Sequence, residues 1–345
     1  MKVLMGLGYY EGGGFTSVVN TLGKYLQDLG VEVVVGARVV RVQPPNWLNL
    51  TRLTPREFAK EASRYDVVHI HLSYPYLKAI LKANRSSLVL THHGYAPWYI
   101  VPGLKNKIVH LYLKLAYKNL LSKVPNIVAV SSYVRKQLKS LYNLEASVIY
   151  NGVDLKIFNP IKVEKNLGYP IIFNATTWNS FKGASLLLEH FKFLKERYPE
   201  AKLIAIGLPM SSHWVRKIFK KTRLIPEKDV KVLPYLPIEE LPYYYNLADL
   251  YLLTSKWESF GLPIVESFAC GTPVVAYSVN DARKEHINNS KAGVFYESED
   301  SLLQALEEVL KNHDAFMKNA LAYAKKFDWN IAAQEYVKIY KEVAF

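Results

Sequence analysis

The chain has 345 residues, half of them apolar, which predicts about two globular domains, each with its own core. No uncharged apolar run reaches the roughly 18 residues of a membrane span, the opening MKVLMGLGYYEGGG is too short and glycine-broken for a signal peptide, and the single Cys270 excludes an internal disulfide, so a cytoplasmic protein is expected. The net charge of +14 is lopsided: residues 1–160 carry 20 Lys+Arg against 8 Asp+Glu (+12) and residues 161–345 carry 24 against 22 (+2), which predicts an anionic partner for the first half, or else a merely solubilising basic surface.

Along the chain, short apolar runs alternate with longer stretches of helical period, the signature of parallel strands joined by helices. The first run is KVLMGLG (2–8). Gly12, Gly13 and Gly14 follow it, and then FTSVVNTLGKYLQDLG with helical period. Glycines there let the backbone approach a ligand, and the helix N-terminus offers N–H groups to a phosphate or sugar oxygen. The spacing is not G-x-G-x-x-G, so the dinucleotide fingerprint is absent. VEVVVG (31–36), DVVHIHL (66–72), SLVLTHH (87–93) and NIVAVS (126–131) continue the set, apolar on both faces as buried parallel strands are. His69 and His71 share one strand face, and His92 and His93 end the next strand. With no acidic ligand evident beside them a metal site is not expected. His93, just before Gly94, is placed to donate or accept a proton, and His92 points the other way. The segment LKNKIVHLYLKLAYKNLLSKV (104–124) interleaves Lys105, Lys107, Lys114, Lys118 and Lys123 with Leu and Tyr, a pattern compatible with an anionic membrane surface.

NGVDLKIFNPIKVEKNLGYP (151–170) has neither period and reads as a linker. The alternation then restarts with PIIFNA (170–175), AKLIAIG (201–207), VKVLPY (230–235), DLYLLTS (249–255) and TPVVAYS (272–278), and residues 300–343 read as three helices. The fold class expected is therefore α/β, two doubly wound parallel sheets, with ligands outside the carboxyl ends of the strands and a cleft where those ends face each other. Domains are placed at 1–158 and 159–325, with 326–345 a helix that packs back toward the first. Lys182-Gly183 opens an amphipathic helix, where a lysine could neutralise a pyrophosphate; G-x-x-x-x-G-K-[ST] is absent. In WESFGLPIVESFACGTPVVAY (257–277), Glu258 lies in a turn and Glu266 about one turn into a short helix. Pro263 suits the first helical turn, which leaves the amides of Phe260, Gly261 and Leu262 as donors. Carboxylates amid so many apolar side chains need partners, and a polyol's hydroxyls would serve. No Asp-x-Asp occurs, so no divalent metal bridging phosphates is implied.

The segments GGG, DVVHIH, THHG, AVSSYVRKQL, VIYNGVDLKIFNP, FKGASLLL and ESFGLPIVESFACGTPVVA, in this order over essentially the whole chain, resemble the retaining glycosyltransferases of family 4, which have the GT-B fold of two facing Rossmann-like domains. The resemblance implies a hexosyltransferase with a UDP- or GDP-sugar as donor, a glycan or lipid-phosphate-linked acceptor on the amino-terminal domain, no cofactor, no metal and no nucleic acid. It matches Glu258 to the carboxylate at the donor sugar, Glu266 to the one that holds the ribose hydroxyls, and Phe260, Gly261 and Leu262 to amides at the sugar and distal phosphate. It further matches Lys182 to the pyrophosphate lysine, Gly13 and Gly14 to the loop near the donor phosphate, and His93 to the histidine near sugar and acceptor; the catalytic set is Glu258, His93 and Lys182. Two departures stand out. Thr177 occupies the place of an arginine that acts with the lysine, so that either Arg283 or another basic group substitutes, or the leaving group is less strongly stabilised, or the chain is not fully active; and Asn280-Asp281 stand where the family has glycines. A sugar-nucleotide epimerase, and a weakly active sugar-nucleotide-binding subunit, remain as alternatives.

Overall fold

The computed structural model describes residues 1–83, 87–175, 181–208 and 210–344. They form two compact units: Met1–Tyr99, Gly103–Gly152 and Asp328–Phe345 in the first, Ile100–Pro102 and Val153–Phe327 in the second.

Unit 1 runs β1 (Lys2–Tyr10), α1 (Gly14–Asp28), β2 (Glu32–Val40), β3 (Asn49–Arg52), α2 (Pro55–Glu61), β4 (Val67–His71), α3 (Tyr74–Lys82), β5 (Leu88–His92), α4 (Leu104–Leu121), β6 (Asn126–Ala129), α5 (Ser132–Tyr142) and β7 (Ser147–Val148). Its sheet has the order β3-β2-β1-β4-β5-β6-β7, and every pairing in it is parallel. The central strands β4 and β5 are buried along their whole length, which explains why their sequences are apolar on both faces. In α1 the buried residues Val18, Val19, Leu22 and Leu26 recur at three- and four-residue spacing, the stripe that a helix lays on a sheet.

Unit 2 runs β8 (Ile171–Ala175), α6 (Ala184–Arg197), β9 (Lys202–Ile206), α7 (His213–Thr222), β10 (Val230–Leu233), α8 (Leu241–Leu247), β11 (Leu250–Leu253), α9 (Leu262–Ala269), β12 (Val274–Tyr277), α10 (Arg283–Ser290), β13 (Gly293–Tyr296), α11 (Glu299–Lys311) and α12 (His313–Ala324). The sheet order is β10-β9-β8-β11-β12-β13, again parallel throughout. One face of it closes over a core that includes Ile172, Leu187, Phe191, Leu203, Leu250, Leu252 and Val275.

The last helix, α13 (Trp329–Ala344), belongs to unit 1. It buries Ala333, Tyr336 and Tyr340, and its two tyrosines bond to unit 1 strands: Tyr340 Oη lies 2.6 Å from His69 Nδ1 and Tyr336 Oη 2.8 Å from Thr91 Oγ1.

Both sheets reverse their winding direction at one point, between β1 and β4 in unit 1 and between β8 and β11 in unit 2. Helices that leave in opposite directions there open a crevice beyond the strand ends. The outermost strands β3, β7 and β13 are additions to the elements the sequence predicts, and the strand expected to run to Ser255 ends at Leu253.

Candidate active site

In unit 2 the switch-point strands β8 and β11 pair at Ile172 and Leu250. The turn that enters α6 docks against the end of β11. Lys256 N–H donates to the Phe181 carbonyl at 2.6 Å, and the Thr254 hydroxyl donates to the Lys182 and Gly183 carbonyls at 3.4 and 3.2 Å. Gly183 has φ 69°, and a Cβ on it would sit 2.0 Å from the Thr254 carbonyl oxygen. Only glycine tolerates both the left-handed backbone and that approach.

This docking brings Lys182 to Glu258: Nζ lies 2.7 Å from Oε1. The Glu258 side chain is 7 % exposed and that of Lys182 is 25 % exposed, so the carboxylate lies in the protein interior and the lysine partly reaches solvent. Burial alone would raise the Glu258 pKa, but the Lys182 ammonium, the Ser255 hydroxyl and the Arg283 guanidinium outweigh it and hold the carboxyl below its ordinary range.

The turn that carries Glu258 is itself held from the loop between β12 and α10. Glu258 N–H donates to Asp281 Oδ2 at 2.8 Å. Asp281 also accepts from Arg283 Nε and Nη2, both at 2.8 Å, and from the Arg283 backbone N–H at 3.0 Å. Arg283 is fully buried, and its Nη1 donates to the Tyr277 carbonyl at 2.8 Å. Of the alternatives raised by Thr177, this removes Arg283 as the substitute: its fork is spent on Asp281 and the Tyr277 carbonyl, inside the protein. Thr177, the position that raised the question, lies outside the described residues.

Gly261 precedes α9 with φ 99°, and Pro263 stands in the first turn. The helix thus starts at Leu262 with N–H groups that no i−4 carbonyl can take. Phe260 is buried edge-on against His286, ring centroids 4.8 Å apart, which fixes the turn from beneath. Glu266 is half-buried; its Oε2 accepts from Tyr245 Oη at 2.8 Å. Burial of that carboxyl pushes its pKa up to about 7, against the lowering effect of Tyr245. Tyr251, fully buried, donates to the Ala175 carbonyl at 3.0 Å and braces the end of β8. Unit 2 therefore carries Lys182 in the turn before α6 and Glu258, Phe260, Gly261, Leu262 and Glu266 in the turn before α9 and in that helix, and the ion pair joins Lys182 to Glu258.

In unit 1 the corresponding strand ends carry Gly13 and Gly14 after β1, His71 at the end of β4 and His93 after β5. Gly13 caps α1 and Gly14 is its first residue. The next residue, Phe15, packs on His93 with ring centroids 4.6 Å apart, which joins the glycine turn to the histidine. His93 Nε2 lies 3.2 Å from His71 Nδ1, and the His71 ring lies 4.3 Å from that of His69, whose nitrogens meet Tyr340 and Thr91. His92 turns instead to Tyr95, and its Nδ1 accepts from Gly94 N–H at 3.0 Å. Burial holds these imidazoles far below their ordinary 6.5, to about 3 for His69, His92 and His93, and well below it for His71. Around neutral pH they are uncharged, so each offers one donor and one acceptor.

Sequence reasoning missed two partners, Asp281 as the acceptor for the Glu258 amide and Tyr245 as the donor to Glu266. The first sits in NDARKEH, where an acid and an arginine two residues apart are a readable pair; the second carries no local signal.

The family model for glycosyl transferases group 1 matches residues 156–327, and that for glycosyltransferase family 4 matches residues 12–157. An uncharacterized glycosyltransferase, MJ1178 of Methanocaldococcus jannaschii, is 26 % identical, with 100 % of this chain and 99 % of that protein covered. An alpha-monoglucosyldiacylglycerol synthase of Acholeplasma laidlawii is 24 % identical over 96 % of this chain and 94 % of its own length. Among solved structures, Anabaena Alr3699/HepE in complex with UDP-glucose superposes with a TM-score of 0.80 at 18 % identity, covering 99 % of this chain and all of that one. That likeness gives the two parallel-sheet units their name, the GT-B fold. Because the two family models between them run along the chain from residue 12 to residue 327, this protein belongs to the family 4 glycosyltransferases.

Proposed function

We propose that this glycosyltransferase moves a hexose from a UDP- or GDP-sugar to a glycan or lipid-phosphate-linked acceptor, with retention of anomeric configuration and without a divalent metal, and that it works in the cytoplasm, peripheral to the inner face of the membrane. The observation that carries the reading is the Lys182–Glu258 pair at the switch point of unit 2, beside the start of α9. As the sugar leaves the nucleotide, negative charge collects on the distal phosphate, and fixed cations and amide dipoles aimed at it lower the barrier. Lys182 exchanges its carboxylate for that phosphate, and the N-terminus of α9 adds its N–H groups. Glu258, released from Lys182, holds a sugar hydroxyl, and Glu266 accepts from the ribose. Gly13, Gly14 and His93 take the roles the sequence resemblance gives them, the loop at the donor phosphate and the neutral imidazole at sugar or acceptor. Support for the donor class comes from the Anabaena structure with UDP-glucose, and support for a lipid acceptor from the name of the Acholeplasma relative.

The test begins with a thermal-shift series of UDP- and GDP-hexoses, since a ligand of the folded state raises its apparent stability. Transfer from the donor so found is then followed with and without EDTA, and the anomeric configuration of the product is read by NMR. Glu258→Ala is expected to lower kcat by about 10²-fold or more, as loss of an electrostatic group at the reacting centre does, with the donor-induced thermal shift retained. Full turnover in that variant would refute the assignment, and conversion of donor in the absence of any acceptor would favour an epimerase.

A further inference from the structure

The helix α4 is turned the wrong way round for a helix on a sheet. Of its 18 residues only Tyr117 and Leu121 are buried, whereas Leu104 (75 % exposed), Ile108 (61 %), Leu111 (54 %), Tyr112 (63 %) and Leu115 (62 %) stand in solvent. At about 100° per residue, Leu104, Ile108, Leu111 and Leu115 form one narrow stripe, and Tyr117 and Leu121 fall on the opposite side. That inner side is well fastened: Tyr117 Oη donates to the Leu72 carbonyl at 3.3 Å, Tyr142 Oη donates to the Lys114 carbonyl at 2.9 Å, and Tyr117 meets Tyr74 edge-on. The outward apolar stripe is therefore held in place by the fold.

Two aromatic residues extend the stripe. Trp98 and Tyr99 are 64 % and 63 % exposed, and Lys107 Nζ lies 5.3 Å from the Trp98 ring, so this pair sits at the start of α4. Lys107, Lys114 and Lys118 run along one flank of the stripe and Lys105 lies on the other, and residues 98–124 contain no Asp or Glu. Apolar residues at the centre, lysines at the edge and a tryptophan–tyrosine pair at one end are what an interfacial helix presents to a bilayer. The charge pattern selects the occupant. A second copy that docked through this patch would set lysine against lysine with no carboxylate on the segment to receive them, because a two-fold contact brings a patch onto itself. An anionic headgroup layer supplies the missing charge, and lysine stems reach it past buried apolar side chains. No described helix is long and apolar enough to cross a membrane, so α4 would lie along the surface.

We infer that α4, with Trp98 and Tyr99 before it, is the face by which this protein lies on an anionic lipid surface. The inference deepens the lipid-linked acceptor reading above but is read out without donor or acceptor. The full chain is sedimented with vesicles of phosphatidylcholine alone and of phosphatidylcholine with phosphatidylglycerol. Binding is expected only to the anionic vesicles and is expected to weaken with salt. Lys107→Gln/Lys114→Gln/Lys118→Gln should weaken it about fivefold per lysine, the factor that corresponds to about 1 kcal/mol each, and Ile108→Ser/Leu111→Ser/Leu115→Ser should abolish it. Because all these side chains stand outside the core, the thermal unfolding of both variants should match the parent, which separates lost docking from lost fold. Equal binding to both vesicle types, or binding unchanged in both variants, would overturn the inference. So would a dimer, seen by light scattering, that the serine variant dissociates and anionic vesicles do not displace. Transfer to a water-soluble acceptor without vesicles tests the catalytic reading separately.

Discussion

Replacing Asp281 by Asn tests whether the Glu258 turn is held from below by a buried charge. In the native structure the Arg283 guanidinium has no solvent exposure, and two of its nitrogens each lie 2.8 Å from an Asp281 oxygen. Asparagine keeps the shape but removes the charge and one of the two acceptor oxygens, which leaves the guanidinium one amide oxygen and the Tyr277 carbonyl. Removing one partner of a buried pair costs about 3–5 kcal/mol, because the other charge stays desolvated and uncompensated. The loss is measured by urea unfolding, where the midpoint should fall with little change in slope. The same substitution weakens the acceptor for the Glu258 amide, so transfer activity should fall as well. A second variant separates the two effects. Asp281→Leu/Arg283→Met replaces the pair by apolar groups of similar size, which is often neutral for stability, yet Glu258 N–H still lacks its acceptor. It should therefore recover the urea midpoint and remain impaired in transfer. An Asp281→Asn protein within about 1 kcal/mol of the parent would refute the stability argument, and full activity in the double variant would show that Asp281 serves only as a counter-ion.

Two further outcomes follow from the site. Gly183→Ala forces a Cβ to within 2.0 Å of the Thr254 carbonyl oxygen at a φ of 69°, so the turn must move by more than an ångström. Lys182 then leaves Glu258, and kcat/KM is expected to fall about 10²-fold, as for misplacements of that size; an alanine variant of parental activity would show that the Lys182 turn does not position the reaction. Glu266 has a folded pKa of about 7 against the ordinary 4.5, so its contribution to stability is complete below about 4.5 and is lost as pH rises through about 7. Ribose binding needs the carboxylate, so donor binding should release a proton below pH 7 and weaken as pH falls. Calorimetry at pH 6 in buffers of different ionisation enthalpy would detect that proton, and heats independent of buffer would remove Glu266 from the donor site.

The two-sheet α/β organisation is legible in the sequence because its central strands are apolar on both faces and stand between helical periods. Strands β3, β7 and β13 escape that reading for one reason: they are short and lie at sheet edges, where half of the side chains need not be apolar. In the site, Glu258 and Glu266 draw attention because carboxylates in an apolar run must find partners. What those partners are depends on which strands are neighbours. Lys182 reaches Glu258 because β8 lies beside β11, and His71 reaches His93 because β4 lies beside β5, with His71 opposite Thr91. Arg283 could be considered as one substitute for the missing arginine because its burial and its bonds to Asp281 and the Tyr277 carbonyl are tertiary facts that the sequence does not show. The outward stripe of α4 shows the same limit: its apolar residues are visible in the sequence, but the side on which Tyr117 and Tyr142 fasten it is a tertiary fact.

The contact between His69 and Tyr340 joins residues 271 positions apart, with all of unit 2 between them in the chain. On the ribosome, β1, β4 and β5 emerge before nearly all of unit 2, but the helix that supplies Tyr336 and Tyr340 emerges after it. Closing so long a loop costs entropy that only the docked helix repays. Until α13 has emerged, His69 and Thr91 must remain hydrated or bond elsewhere, and the groove later filled by α13 stays open. The order of synthesis thus lets unit 2 be complete in sequence before the amino-terminal unit is, and it ties the completion of the histidine cluster to the sixteen-residue helix α13.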